Sequence, residues 1–149
     1  MSDVAGLFDD LCLRWVREAD VVFQQNGAVA PTLVVLPRDA AADEVAIRVD
    51  GLRGNLVQRA AAIVDELRPA VTPHQPAGLV FLTDARLGTE ASTPGADGVA
   101  VYVTLGVPEL RRAIGLKVVP GEPPALTRAE GDPPVEHFSW LDALLRPAP

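Results

Sequence analysis

Residues 78–83 read Gly-Leu-Val-Phe-Leu-Thr, and residues 33–36 read Leu-Val-Val-Leu. A strand with one face in water alternates apolar and polar side chains, whereas both of these runs are apolar at every central position. We therefore expect two strands that are buried on both faces. One layer of helices covers only one face of a sheet, so the other face needs a second cover.

Two helices are predicted from the apolar spacing and from the residues at their ends. Residues 3–25 place apolar side chains on one side of a helix, and Asn26-Gly27 supplies a left-handed stop. A second helix begins with a capping-box pattern at Asn55 and is stopped by Pro69.

The strands come from alternation and from turn residues. Residues 32–36 and 44–49 are predicted to form a hairpin, and residues 99–105 form a further strand with one strongly apolar side. Residues 108–119 are ambiguous. Proline in first-turn position followed by glycine suits a short helix, but the later residues alternate as in a fifth strand, which we favour.

The order of elements is typical of an α+β two-layer sandwich. We predict one domain over residues 1–149, with a mixed sheet of four to five strands, both long helices on one face and a short C-terminal helix around Trp140. Tyr102 then lies near the centre of the other face. Either the C-terminal tail or a second copy of the chain covers that face, which makes Tyr102 and Trp140 candidate interface residues. A loop over residues 86–98, rich in small and turn-forming residues, is expected to be mobile.

Charge and composition exclude several classes of protein. The chain of 149 residues has a formal charge of −7, and its basic residues are scattered, so nucleic acid is not an expected partner. No apolar run approaches the length that crosses a bilayer, so we expect no membrane partner. The acidic start of the chain lacks the basic region of a secretory signal, and Cys12 is the only cysteine. We therefore expect a cytoplasmic protein.

One polar cluster is a candidate ligand site. If the second and third strands run parallel, their ends and the start of the second helix meet at one edge of the sheet. The residues brought there are Asp50, Arg53, Asn55, Asp84 and Arg86. Two carboxylates and two guanidinium groups beside a helix start could bind an anion or a metal, or take part in acid–base chemistry. The same residue types also occur at strand ends as ordinary turn, cap and solvated side chains.

No motif identifies a reaction. His74 and His137 have no second histidine or cysteine at ligand spacing, and no serine lies in a nucleophile elbow. No glycine-rich stretch completes a phosphate-binding or dinucleotide fingerprint. We expect no catalytic residue, no metal and no cofactor.

Two functions remain. The sequence favours a small acidic protein-binding or adaptor domain whose partner is another protein or a second copy of itself. The alternative is a small-ligand-binding protein or an enzyme that uses the polar cluster at the ends of the second and third strands.

Overall fold

The computed structural model describes residues 4–39, 41–49, 59–85, 98–122, 124–129 and 131–146. Its two α-helices are α1 (Val4–Asn26) and α2 (Ala60–Val71), and a 3-10 helix covers Ser139–Leu145. The strands are β1 (Thr32–Pro37), β2 (Val45–Arg48), β3 (Pro76–Ala85), β4 (Gly98–Thr104), β5 (Arg111–Val119) and β6 (Ala125–Arg128).

The strands form one six-stranded sheet in the order β2-β1-β3-β4-β5-β6. Every hydrogen-bonded pair among the described strands is antiparallel. The predicted α+β class is confirmed, but the prediction of a mixed sheet with four to five strands is wrong. The hairpin of β1 and β2 forms as expected. Because β1 lies between β2 and β3, these two strands run parallel without pairing to each other.

The predictions after β4 were incomplete. The ambiguous stretch contains both alternatives, since Pro108–Leu110 form a 3-10 turn and β5 follows directly. The sixth strand, β6, was missed. It has only four residues, and three of them are exposed, so it carries no apolar alternation that a sequence pattern could reveal.

The two faces of the sheet have separate covers. Alternate side chains of the central strands pack with α1 on the first face, including Val80 and Val101. The intervening side chains, including Phe81 and Tyr102, pack on the second face with α2 and with the C-terminal residues. The prediction that both long helices share one face is therefore wrong. Periodicity shows that a helix has an apolar side, but it does not show which face of the sheet that side covers.

Helix α1 follows the predicted stripe and stop. Trp15 is 7% exposed in the first-face core, and Leu11 is half-buried against the same core. Gly27 has a φ of 74°, and its N–H donates to the Phe23 carbonyl over 2.7 Å. A left-handed residue after Asn26 ends the helix, as glycine does most readily.

The sequence predicted that helix α2 stops at Pro69. In the structure the helix continues to Val71. Proline has no backbone N–H, so Pro69 removes one hydrogen bond from the helix. The loss falls in the last turn, where few further hydrogen bonds depend on it. Val71 is fully buried in the second-face core, and its packing holds the last turn. The start predicted at Asn55 lies outside the described residues.

Candidate functional site

The edge of the sheet predicted to bind a ligand is assembled only in part by the described residues. The last residues of β2 and β3 do lie at the same end of the sheet, beside the start of β1. Because β1 lies between the two strands, their ends are about 10 Å apart. Asp84 is placed there on β3. The other four residues of the predicted cluster lie outside the described residues: Asp50, Arg53, Asn55 and Arg86. Nearly all of the loop predicted to be mobile, residues 86–98, also lies outside them.

Asp84 has a local role in the fold. Its Oδ1 accepts a hydrogen bond from the backbone N–H of Val29 at 2.9 Å, and its own N–H donates to the Val29 carbonyl at 2.8 Å. Val29 is buried between α1 and β1. The half-buried carboxylate therefore joins the α1–β1 connection to the end of β3.

Tyr102 lies where the sequence placed it, at the centre of the second face on β4, but it is fully buried within the chain. Its ring stacks on Phe138, with the ring centroids 5.6 Å apart. Of the two covers that the sequence left open, the structure has the C-terminal tail. A partner molecule has no access to Tyr102 while that tail is in place, so Tyr102, predicted as an interface residue, is a core residue in this structure.

A buried polar network fixes the tail to the sheet. The Tyr102 hydroxyl donates to Oδ1 of Asp142 over 2.7 Å, and Nε of Arg111 donates to Oδ2 over 2.5 Å. Asp142 is 3% exposed. Burial, and then the hydrogen bond to Asp142, raise the pKa of Tyr102 against the opposing effect of its hydrogen bond with Thr104. Each carboxylate oxygen thus has a partner, as a buried charge requires.

The tail lies in a groove on the second face, which we call the second-face groove. Its floor is formed by side chains of β3, β4 and β5, namely Phe81, Ala100, Tyr102 and Ala113. Its wall is formed by the buried side of α2, namely Ile63, Val64, Leu67 and Val71. Small residues on β4 and β5 leave room for large ones above them. The tail fills this space with Phe138, Leu141 and Leu144, which are each less than 8% exposed.

The chain reaches the groove by crossing over Gly115 of β5. A Cβ at this position would lie 3.1 Å from the Gly131 carbonyl oxygen and 3.3 Å from Cδ of Pro133, so the absence of a side chain allows the crossing. The Gly115 N–H donates to Oδ1 of Asp132 over 3.0 Å. Arg128 is paired with the same carboxylate.

Trp140, the second predicted interface residue, lies at the rim of the second-face core and is half-buried. Its indole N–H donates to the His137 carbonyl oxygen over 2.7 Å. The aromatic ring therefore packs on its own chain and keeps part of its surface in solvent.

Other reactive groups are dispersed in the part of the chain that the structure describes. No three His, Cys, Asp or Glu side chains stand there in an arrangement that could hold a metal ion. Burial raises the pKa of the Cys12 thiol within the first-face core, and a buried neutral thiol behaves as a small apolar side chain. None of the helices in these ranges is long and apolar enough to cross a membrane.

Comparison with known proteins finds no family model, no curated protein and no solved structure that matches this chain.

The network around Asp142 was missed at the sequence level. Its only signal is one aspartate inside an apolar stretch, residues 140–145, which read Trp-Leu-Asp-Ala-Leu-Leu. An acidic residue on the apolar side of a docked segment requires a buried partner. The identity of the partners, Arg111 and Tyr102, depends on the pairing of β4 with β5.

Proposed function

We propose that this chain is a cytosolic protein-binding or adaptor domain without identifiable catalytic residues. One observation carries the proposal: the second-face groove is occupied by a segment in 3-10 conformation that docks through spaced apolar side chains and one acidic group. Docking of a short helical segment into a hydrophobic groove through spaced apolar side chains is a recurrent form of peptide recognition.

The polar groups in the groove support binding rather than catalysis. Tyr102 and Arg111 both donate to the carboxylate of Asp142, and Tyr102 and Asp142 are buried. A general acid or base must reach a proton of its substrate, and Tyr102 and Asp142 have no such access while the tail lies in the groove. The positions of Tyr102 and Arg111 suit the orientation of a docked segment. A buried carboxylate on that segment is stabilised only where it meets both donors.

The class of partner follows from charge and compartment. A net charge of −7 disfavours nucleic acid, and we propose a protein partner, either another protein or a second copy of the chain. The cytosolic assignment is supported by the lone cysteine, Cys12, which is a buried free thiol.

Affinity purification from the native cell tests the proposal. The tagged parent chain is compared with Phe138→Ala, which weakens the occupancy of the groove, and with Val107→Ala, a matched apolar truncation at a site that is 42% exposed. Quantitative mass spectrometry should recover a protein at near-stoichiometric amounts, with more bound to Phe138→Ala than to the parent and no change for Val107→Ala. Recovery of no protein above background by any of the three chains would reject the adaptor function.

A ligand-binding or enzymatic function at the sheet edge is the second candidate. It is favoured by the parallel course of β2 and β3, which brings their ends to the same edge as the sequence predicted. Isothermal titration tests it with phosphate on the parent chain and Arg53→Ala, and with divalent cations on the parent chain and Asp50→Asn. Saturable heat that is lost in the corresponding variant would support this function, and absence of heat in the parent would reject it.

A further inference from the structure

We propose that the second-face groove binds in trans a protein segment with the pattern Phe-x-x-Leu-Asp-x-Leu, and that the C-terminal tail is an internal competitor that closes the groove. This inference rests on the proposed protein-binding function and names the chemistry of its partner. The pattern is that of the tail itself, which carries Phe138, Leu141, Asp142 and Leu144 at these spacings.

The backbone of residues 135–146 makes no hydrogen bond to the strands of the described sheet. The described backbone hydrogen bonds of residues 135–146 are local turns, such as His137 to Pro134 and Leu141 to Phe138. The segment is held on the sheet by side chains instead. Apart from its crossing near Gly115, it takes no part in strand pairing. The core strands of a protein open at a free energy close to that of global unfolding, and a segment outside the strand ladder can open below that limit.

The groove provides a distinct receptor for each recognised side chain. The phenyl ring of Phe138 meets Tyr102 at 5.6 Å and Phe81 at 6.2 Å between centroids. The carboxylate of Asp142 meets a guanidinium and a phenol. A docked segment with an aromatic anchor and an acidic residue four positions later therefore makes both the ring contacts and the polar contacts of the floor. A segment without the acidic residue leaves Arg111 unpaired.

Arg111 makes the choice of an acidic segment specific. Its side chain is 21% exposed at the edge of the groove, so its charge remains beside the floor when the tail leaves. A positively charged group next to an uncovered apolar floor selects against basic segments by repulsion and for a carboxylate by pairing.

The connection to β6 makes the tail an effective competitor. Only residues 129–134 separate the end of β6 from the docked segment, and Asp132 fixes this crossing to Gly115. A short tether holds an internal ligand at a local concentration in the mM range. The apparent affinity for an external segment is then the intrinsic affinity multiplied by the open fraction of the chain.

Fluorescence anisotropy tests the inference with a labelled peptide that has the sequence of residues 134–146. The titrated proteins are the full parent chain, Phe138→Ala, and Val107→Ala as a matched surface control. We expect Phe138→Ala to bind the peptide at least about tenfold more tightly than the parent, because its own tail competes less, with Val107→Ala equal to the parent. Peptides with alanine in place of the Phe138 equivalent, or asparagine in place of the Asp142 equivalent, should lose at least about tenfold in affinity.

Equal affinity of folded Phe138→Ala and the parent, or equal binding of the altered peptides, overturns the inference. If Phe138→Ala does not fold, hydrogen exchange on the parent decides instead. Residues 135–146 should then exchange faster than β4, and equal protection of the two overturns the inference. A parent dimer that exchanges tails between copies, seen by light scattering and cross-linking, also overturns it in favour of self-association.

The two proposals fail in different ways. A partner recovered from cells equally by the parent and Phe138→Ala, together with no peptide binding, leaves the adaptor function standing and removes only the groove as its site. Peptide binding to Phe138→Ala with no cellular partner supports the recognition chemistry and rejects the adaptor function.

Discussion

The Tyr102 hydroxyl and Oδ1 of Asp142 are joined by a hydrogen bond of 2.7 Å, although the two residues are forty positions apart in the chain. Tyr102 belongs to a central strand, and Asp142 belongs to the terminal 3-10 helix. The bond therefore links the last described segment of the chain to the middle of the sheet. Arg111 donates to the other carboxylate oxygen, so the same aspartate also contacts β5.

A double-mutant cycle should measure this link. Tyr102→Phe leaves a buried oxygen of Asp142 without its donor, and we expect a loss of about 1–3 kcal/mol in the free energy of unfolding. Combined with Asp142→Asn, the two changes should be coupled by about 0.5–3 kcal/mol in urea denaturation. Arg14→Gln is the control, because the Arg14–Glu44 ion pair is solvent-exposed and should contribute less than about 1 kcal/mol. Additive effects of Tyr102→Phe and Asp142→Asn would contradict the network.

Trp15 should be a major contributor to the first-face core. The side chain is 7% exposed, and Trp15→Ala should lower the free energy of unfolding by about 3–5 kcal/mol because it leaves a cavity beneath α1. Leu13→Ala provides the control on the same helix, since Leu13 is 54% exposed and its truncation should change stability by at most about 0.5 kcal/mol. Thermal melts of the two variants that coincide with the parent would show that α1 does not pack on the sheet through Trp15.

The crossing of the tail over β5 should depend on Gly115. In Gly115→Ala the new Cβ would lie 3.1 Å from the Gly131 carbonyl oxygen, and we expect a loss of about 1–3 kcal/mol as the crossing shifts. Gly131→Ala is a matched control, because a Cβ there meets nothing within 4 Å. That variant should have unchanged or slightly higher stability. Equal melting temperatures of the two variants would indicate that the crossing does not lie on Gly115.

Local patterns in the sequence predicted burial well. The stripe of α1 placed Trp15 in a core, and the apolar runs of β1 and β3 indicated that both faces of the sheet are covered. These features were accessible because the period of apolar residues directly reflects the side on which they are buried. The tail was one of the two covers that the sequence allowed.

Long-range relationships were not accessible in the same way. The face taken by α2 depends on the path of its connections, and the short, largely exposed β6 has no periodic signal. The partners of Asp142 become neighbours only when β4 pairs with β5 and the tail crosses Gly115. Asp84 was placed correctly at the sheet edge, but its contact with Val29 requires the three-dimensional course of the α1–β1 connection.

Tyr102 should also report on closure of the tail through its ionisation. An unfolded chain loses the tyrosine proton near pH 10, whereas burial, followed by the hydrogen bond to Asp142, raises the pKa of folded Tyr102. Below about pH 10 both states keep the proton, and the contribution of Tyr102 to stability is fully present. As the pH rises further, only the unfolded state releases the proton, so the free energy of unfolding falls until the folded pKa is reached.

Since Tyr102 is the only tyrosine, tyrosinate absorbance measures this residue alone. The absorbance should rise together with the loss of far-ultraviolet circular dichroism, and Tyr102→Phe should remove the corresponding part of the alkaline destabilisation. Formation of tyrosinate near pH 10 in a chain with unchanged circular dichroism would show that the tail leaves Tyr102 open to solvent.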